Sequence, residues 1–169
     1  MFVAGHVGFG LALYGGARRA LGYRETINLG WLACFALLPD IIDKPVGIIW
    51  WELGSRRLFS HSLLFAVLVL IACRLLWPRI ASYAWLVPIH LVLDGMWRSR
   101  YTLYFPFRGL RFDRDPLSPH GFFEWLRQLF SLAFSQPWLV GDELLGLAVL
   151  VVYYFLTLRQ NPSGGEPAC

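Results

Sequence analysis

Histidine and aspartate recur at the ends of the chain's apolar stretches. His6 opens the first, Asp40 and Asp43 interrupt the second, His61 begins the third, and His90 with Asp94 closes the fourth. Asp142 and Glu143 stand near the start of a fifth. If each stretch crosses a bilayer and the chain alternates in direction, all these groups fall in one layer. Ionisable side chains at membrane depth are costly and usually functional. Imidazole and carboxylate together suit a divalent cation, and the three cysteines (Cys34, Cys73 and Cys169) form no C-x-x-C pair to join them. Such a donor set is compatible with zinc, manganese, iron or magnesium. Zinc or manganese, as one ion or two, is the cofactor expected.

Asp40 and Asp43 are three residues apart and His90 and Asp94 four, so on a helix each pair shares a face about one turn apart. His6 and His61 add imidazoles from two other helices, the way helix bundles build metal sites. The expected ligands are therefore His6, Asp40, His61, His90 and Asp94. Each has a bland reading on its own. His6 could be a satisfied polar group, His90 and Asp94 a helix-end hydrogen bond, and Asp40 beside Pro39 a cap. Together they favour a shared ion, because uncompensated buried carboxylates cost kilocalories per group. Asp43, His120 and Glu143 are the candidate catalytic groups. His120 lies on the same face and could complete the site or face water, while Glu143 shares a helical stripe with Gly146 and Leu147.

The elements that must hold these groups belong in a membrane. Of 169 residues, 57% are hydrophobic and 15% charged, where a soluble domain carries about a quarter charged. Mean hydropathy is +0.52. This predicts one transmembrane helical domain over residues 1–160 and a disordered tail over 161–169. The first residues lack the basic region of a signal peptide, so no cleaved leader is expected.

Five spans of roughly 20 residues are predicted. The first, residues 2–21, is glycine-rich and so expected to be buried among neighbours. The second begins at Leu29 and should break or kink between Pro39 and Pro45. The third is capped by Ser60 and ends near Trp77. The fourth runs from Ile80 to Leu93 with a kink at Pro88, and the fifth from Trp138 to Leu158. Residues 96–120 read as a polar, basic connection. Gly121 to Gln136 has the 3.6-residue period of an amphipathic helix in the membrane interface. The fold class is all-α: a polytopic membrane bundle of about five spans plus one interfacial helix.

Four pieces carry a resemblance: Gly5-His6 in a glycine-rich helix, Leu37-Leu38-Pro39-Asp40-Ile41-Ile42-Asp43, Ser60-His61-Ser62-Leu63-Leu64, and His90-Leu91-Val92-Leu93-Asp94. Tyr104-Phe105-Pro106-Phe107 adds to them. In this order they resemble the membrane-bound metal-dependent hydrolase family, also described as LexA-binding, inner-membrane-associated hydrolases. The likeness covers about residues 1 to 155. The second aspartate falls one residue later than in the family's usual Pro-Asp-x-Asp, which leaves Asp43 either a ligand or a group behind one. The resemblance implies hydrolysis without defining a substrate.

Arginines narrow the chemistry. Arg57, Arg98, Arg100 and Arg108 fall on the ligand face, and guanidinium forks match phosphate oxygens. The expected function is an integral-membrane metal-dependent hydrolase acting on a lipid-linked or amphiphilic phosphate ester, with membrane lipids and this anionic substrate as partners. The alternatives are a metal or ion transporter and a non-enzymatic structural or partner-binding membrane protein. Nucleic acid is not an expected partner, since the arginines lie in a membrane-proximal loop. Lys and Arg are commoner on the ligand face than on the other (Arg18, Arg19, Arg24, Arg74, Arg79, Arg159). By the positive-inside rule this puts the site on the cytoplasmic side of a bacterial or archaeal inner membrane.

Overall fold

The glycine-rich first stretch forms helix α1 (Val3–Ala20), and its glycines are where the last helix, α7 (Pro137–Gln160), lies against it. A Cβ at Gly8 would collide with the Gly146 backbone, and one at Gly146 with the backbone of Ala4 and Gly5. Only glycine allows helix axes this close. The contact is pinned by Glu143, whose carboxylate accepts the N–H groups of Ala4 at 2.8 Å and Gly5 at 2.9 Å. These are first-turn donors with no partner inside their own helix. The structure, a computed structural model, describes residues 3–23, 26–50, 53–114 and 122–160.

Helix α2 (Leu29–Ile49) is capped by Asn28, whose side-chain oxygen accepts from Trp31 N–H. It continues as one helix through Pro39 and Pro45, so of the break or kink expected there, the break does not occur. Each proline deletes one bond of the ladder, to the carbonyls of Phe35 and Ile41, and two other carbonyls of this region take side-chain partners. Ala36 C=O accepts from His90 Nδ1 and Pro39 C=O from Ser60 Oγ. After α2 the chain folds back under it. Gly47 allows this, since a Cβ there would come within 2.6 Å of Ser55 O and 2.8 Å of Arg56 Cα.

The returning segment ends in a 3-10 turn, Phe59–His61, and then α3 (Leu63–Leu76). The cap of α3 is Ser62, accepting from Phe65 N–H at 3.1 Å, and not Ser60, whose hydroxyl is committed to Pro39. The expected fourth helix is split into a 3-10 turn, Ala81–Trp85, and α4 (Leu86–Leu93). Pro88 thereby falls in the first turn of α4, where a missing N–H costs nothing. A 3-10 turn at Met96–Arg98, then α5 (Arg100–Leu103), follow. Asp113 closes that connection by accepting from the N–H groups of Tyr101 and Thr102. The amphipathic segment forms α6 (Phe122–Ser135) and exposes Phe123, Phe130 and Phe134.

All described elements are helical. The five expected spans are not equally long. Among the described residues only Pro137–Thr157, with a mean hydropathy of 1.9, is long and apolar enough to cross a membrane. Helix α3 has 14 residues and so extends only about 21 Å against a hydrocarbon core of about 30 Å. Polarity is nonetheless arranged as in a membrane protein. His6, Asp40, Asp43, His61, His90 and Thr102 are buried, while Leu68, Ile71 and Leu75 of α3 and Val152 and Phe155 of α7 are exposed. The apolar core, around Leu32, Leu86, Val87 and Leu91, packs α2 against α4 and α1.

Candidate metal centre

The site is assembled around the middle of α2. Asp43 is completely buried, and its carboxylate organises the returning segment. It accepts from the backbone N–H of Leu58 at 2.6 Å and of Ser60 and His61 at 3.3 Å each. Its Oδ2 also lies 2.7 Å from His61 Nδ1. A polar side chain in the helix thus fixes a turn 15 to 18 residues later and orients the imidazole that the turn carries. His90, in the last turn of α4, is oriented in the same manner by the Ala36 carbonyl at 2.7 Å.

These partners determine where the ring protons sit. A backbone carbonyl only accepts, so His90 Nδ1 carries hydrogen; the Asp43 carboxylate already accepts three N–H groups, so His61 Nδ1 does too. In the neutral state each ring would then offer a bare Nε2, and these two atoms face each other at 3.3 Å. Two carboxylate oxygens join them. Asp40 Oδ1 is 3.5 Å from His61 Nε2 and 4.0 Å from His90 Nε2. Asp94 Oδ2 is 3.8 Å from His61 Nε2.

Four acceptors converging in a buried space call for a cation. One atom from each of Asp40, His61, His90 and Asp94 lies within 4.8 Å of the others. Most of these separations are long for hydrogen bonds. The two shortest, 3.3 and 3.5 Å, match ligands around one ion, since bonds of about 2.0–2.2 Å in tetrahedral geometry set donors about 3.3–3.6 Å apart, and the others are wider. The residues therefore fit a divalent metal. Nitrogen and oxygen donors without thiolate do not choose among zinc, manganese and iron.

Further side chains hold the two carboxylates: Lys44 and His6 meet the oxygens not counted above, and Arg57 meets the converging oxygen of Asp94. Lys44 Nζ meets Asp40 Oδ2 at 2.6 Å, one turn along α2. Arg57 Nε lies 3.3 Å from Asp94 Oδ2. His6 Nε2 lies 3.0 Å from Asp94 Oδ1, and its ring stacks on His90 with centroids 4.3 Å apart. His6 thus stands beside the four-residue group, against one of its carboxylates and one of its rings.

The other predicted site residues divide. Asp43 sits behind His61 rather than facing the other acceptors. Glu143 directs both oxygens to the start of α1. Of the predicted substrate arginines, Arg57 reaches the cluster. Arg98 and Arg100 are exposed in the short elements after α4, and exposed Arg108 lies near the Tyr104 ring, 6.0 Å from its centroid. His120 lies outside the described residues. Two members of the site are absent from the expected set. Lys44 has a signal, its i,i+4 spacing from Asp40, whereas the Ala36 carbonyl has none, because backbone acceptors carry no residue type.

The comparisons with known proteins add location. A model of the YdjM inner membrane protein family matches residues 1–163, and the chain belongs to that family. No curated protein and no solved structure matches it.

Proposed function

We propose that this member of the YdjM inner membrane protein family is a metal-dependent hydrolase of phosphate esters whose alcohol part is lipid-like. In this reading the longer helices and the shorter α3 and α4 form a bundle of about five membrane segments. The polar cluster lies near the cytoplasmic surface, and α6 lies in the interface. The observation that carries it is the convergence of Asp40, His61, His90 and Asp94, with Nδ1 of each imidazole engaged behind the cluster.

A divalent cation, zinc or manganese, as one ion or two, would be held by those four residues. When bound it supplies Lewis acidity to a phosphoryl oxygen and lowers the pKa of water. The chain's own groups prepare this. Asp43 and the Ala36 carbonyl keep two imidazoles in the ligating tautomer, as a hydrogen-bonded outer layer does in metal sites generally. Lys44 holds one oxygen of Asp40 so that the other points inward. Arg57 is partly exposed beside Asp94, where its guanidinium can turn to a phosphoryl oxygen without leaving the site. That position favours an anionic head group over a neutral ester.

The test is elemental analysis of the purified full-length protein, paired with phosphate release from lipid phosphate esters by the native chain and by His61→Ala and Asp94→Ala. Bound metal, and release lost in both variants, is expected. Bound metal with ion flux across liposomes and no release would make the protein a transporter. Absence of metal would leave the polar cluster a structural feature of the bundle.

A further inference from the structure

At the other end of α1, about 18 Å from His6 at 1.5 Å per residue, two apolar grooves meet at one arginine. The first, about 580 Å³, lies between α1 and α7 and is lined by Phe9, Ala12, Gly16, Leu145 and Val152 among others. The second, about 570 Å³, lies between the end of α1 and the segment before α4, with Leu21, Trp85 and Ile89 in its wall. Arg18, Tyr23 and Thr26 line both. Each volume lies in the range of about 300–1,000 Å³ typical of small-molecule sites.

The junction is positively charged. Arg19 lines the first groove and Arg79 the second, and among the described residues no acidic one lines either. Arg18 is held over the rings of Tyr14 and Tyr23, 5.7 and 5.6 Å from their centroids. Its Nη1 donates to the Tyr14 hydroxyl at 3.5 Å, which in turn donates to Ser82 at 2.8 Å. Hydroxyls and guanidinium groups therefore sit where two apolar channels join. Gly16 keeps the first channel open, for a Cβ there would meet nothing within 4 Å.

We infer that this junction binds a two-chain anionic phospholipid, its phosphate at Arg18, Arg19 and Arg79 and one acyl chain in each groove. Charge complementarity selects the head group, and the paired channels select two tails. A free phosphate would use the arginines alone, and a neutral lipid the grooves alone. The ligand proposed uses both.

The full-length protein, stripped of lipid in detergent, is titrated with phosphatidylglycerol and with phosphatidylcholine of identical chains. Bound lipid is counted by native mass spectrometry. One phosphatidylglycerol per chain is expected, at a preference of roughly ten-fold or more from charge-assisted bonds. Arg18→Gln and Arg79→Gln should each reduce that preference. Gly16→Phe should lower retention of both lipids by filling the channel without a backbone clash. Unchanged circular dichroism and elution volume would show each variant folded. Equal retention of the two lipids overturns the inference. So does displacement of the lipid by inorganic phosphate at equal concentration, which would mark a soluble-anion site. A dimer that buries the grooves and excludes lipid overturns it as well.

Discussion

Asp43 and His61 are joined twice: the carboxylate accepts the histidine's backbone N–H at 3.3 Å and lies 2.7 Å from its ring Nδ1. One side chain therefore sets both the position of the turn and the tautomer of the imidazole it presents. Asp43→Asn removes the charge and replaces one of the two acceptor oxygens with an amide donor, so the four N–H groups gathered there can no longer all be met. Metal affinity should fall roughly ten- to a hundred-fold, the usual effect of losing such a partner. Competition with a chromophoric chelator measures it, and an unchanged affinity would remove Asp43 from this role.

Removing the proposed ion should loosen the whole chain. A ligand present at a hundred times its dissociation constant stabilises the folded state by about 2.7 kcal/mol, and its loss leaves four acceptors facing one another. Excess chelator should lower the unfolding temperature of the native protein by several degrees. It should have no such effect on His61→Ala, which has nothing to lose. Differential scanning fluorimetry in detergent gives both values.

A substitution at Arg57 tests the proposed substrate recognition apart from metal binding. Arg57→Gln keeps a polar side chain near Asp94 but not the charge. Metal content should stay at the native level while kcat/KM for a phosphate ester drops about ten- to a hundred-fold, as loss of a charged hydrogen bond implies. A parallel loss of metal would show that the arginine serves Asp94 alone.

Glu143 tests scaffold against chemistry. Glu143→Ala leaves the first-turn N–H groups of Ala4 and Gly5 without their carboxylate, a destabilisation of about 1–3 kcal/mol. Metal stoichiometry and turnover at low temperature should remain close to native. Turnover abolished in a folded, metal-loaded variant would instead give Glu143 a direct part in the reaction.

The contact between α1 and α7 predicts a steeper response. Gly8→Leu places a side chain into the Gly146 backbone, an overpacking that costs about 1–3 kcal/mol or more. Gly16→Ala, facing open space on the same helix, should be neutral or slightly stabilising. Chemical denaturation of the two variants side by side checks the contrast.

Asp40, His61, His90 and Asp94 are legible in the sequence because charged or titratable groups inside long apolar runs have few other uses. The i,i+4 spacing of His90 and Asp94 also survives folding, since Asp94 is the C-cap of the helix whose last turn holds His90. Asp43 is harder. Its spacing of three puts it beside Asp40, but one carboxylate meets the facing imidazoles and the other the back of His61. That division depends on a fold-back whose local signs are two glycines, Gly47 and Gly54. Helix lengths are legible only in part, because an apolar run such as Ile80 to Leu93 does not announce that its first residues wind as a 3-10 turn. The cap on α1 joins residues 138 and 139 positions apart, a separation over which local pattern carries no information.

That long-range cap has a consequence for biosynthesis. Translation delivers the carboxylate that clamps the opening helix only when residue 143 has been made, long after His61 and His90 have left the ribosome. The helix bearing His6 therefore waits, unclamped at its leading edge, until insertion of the chain is nearly finished.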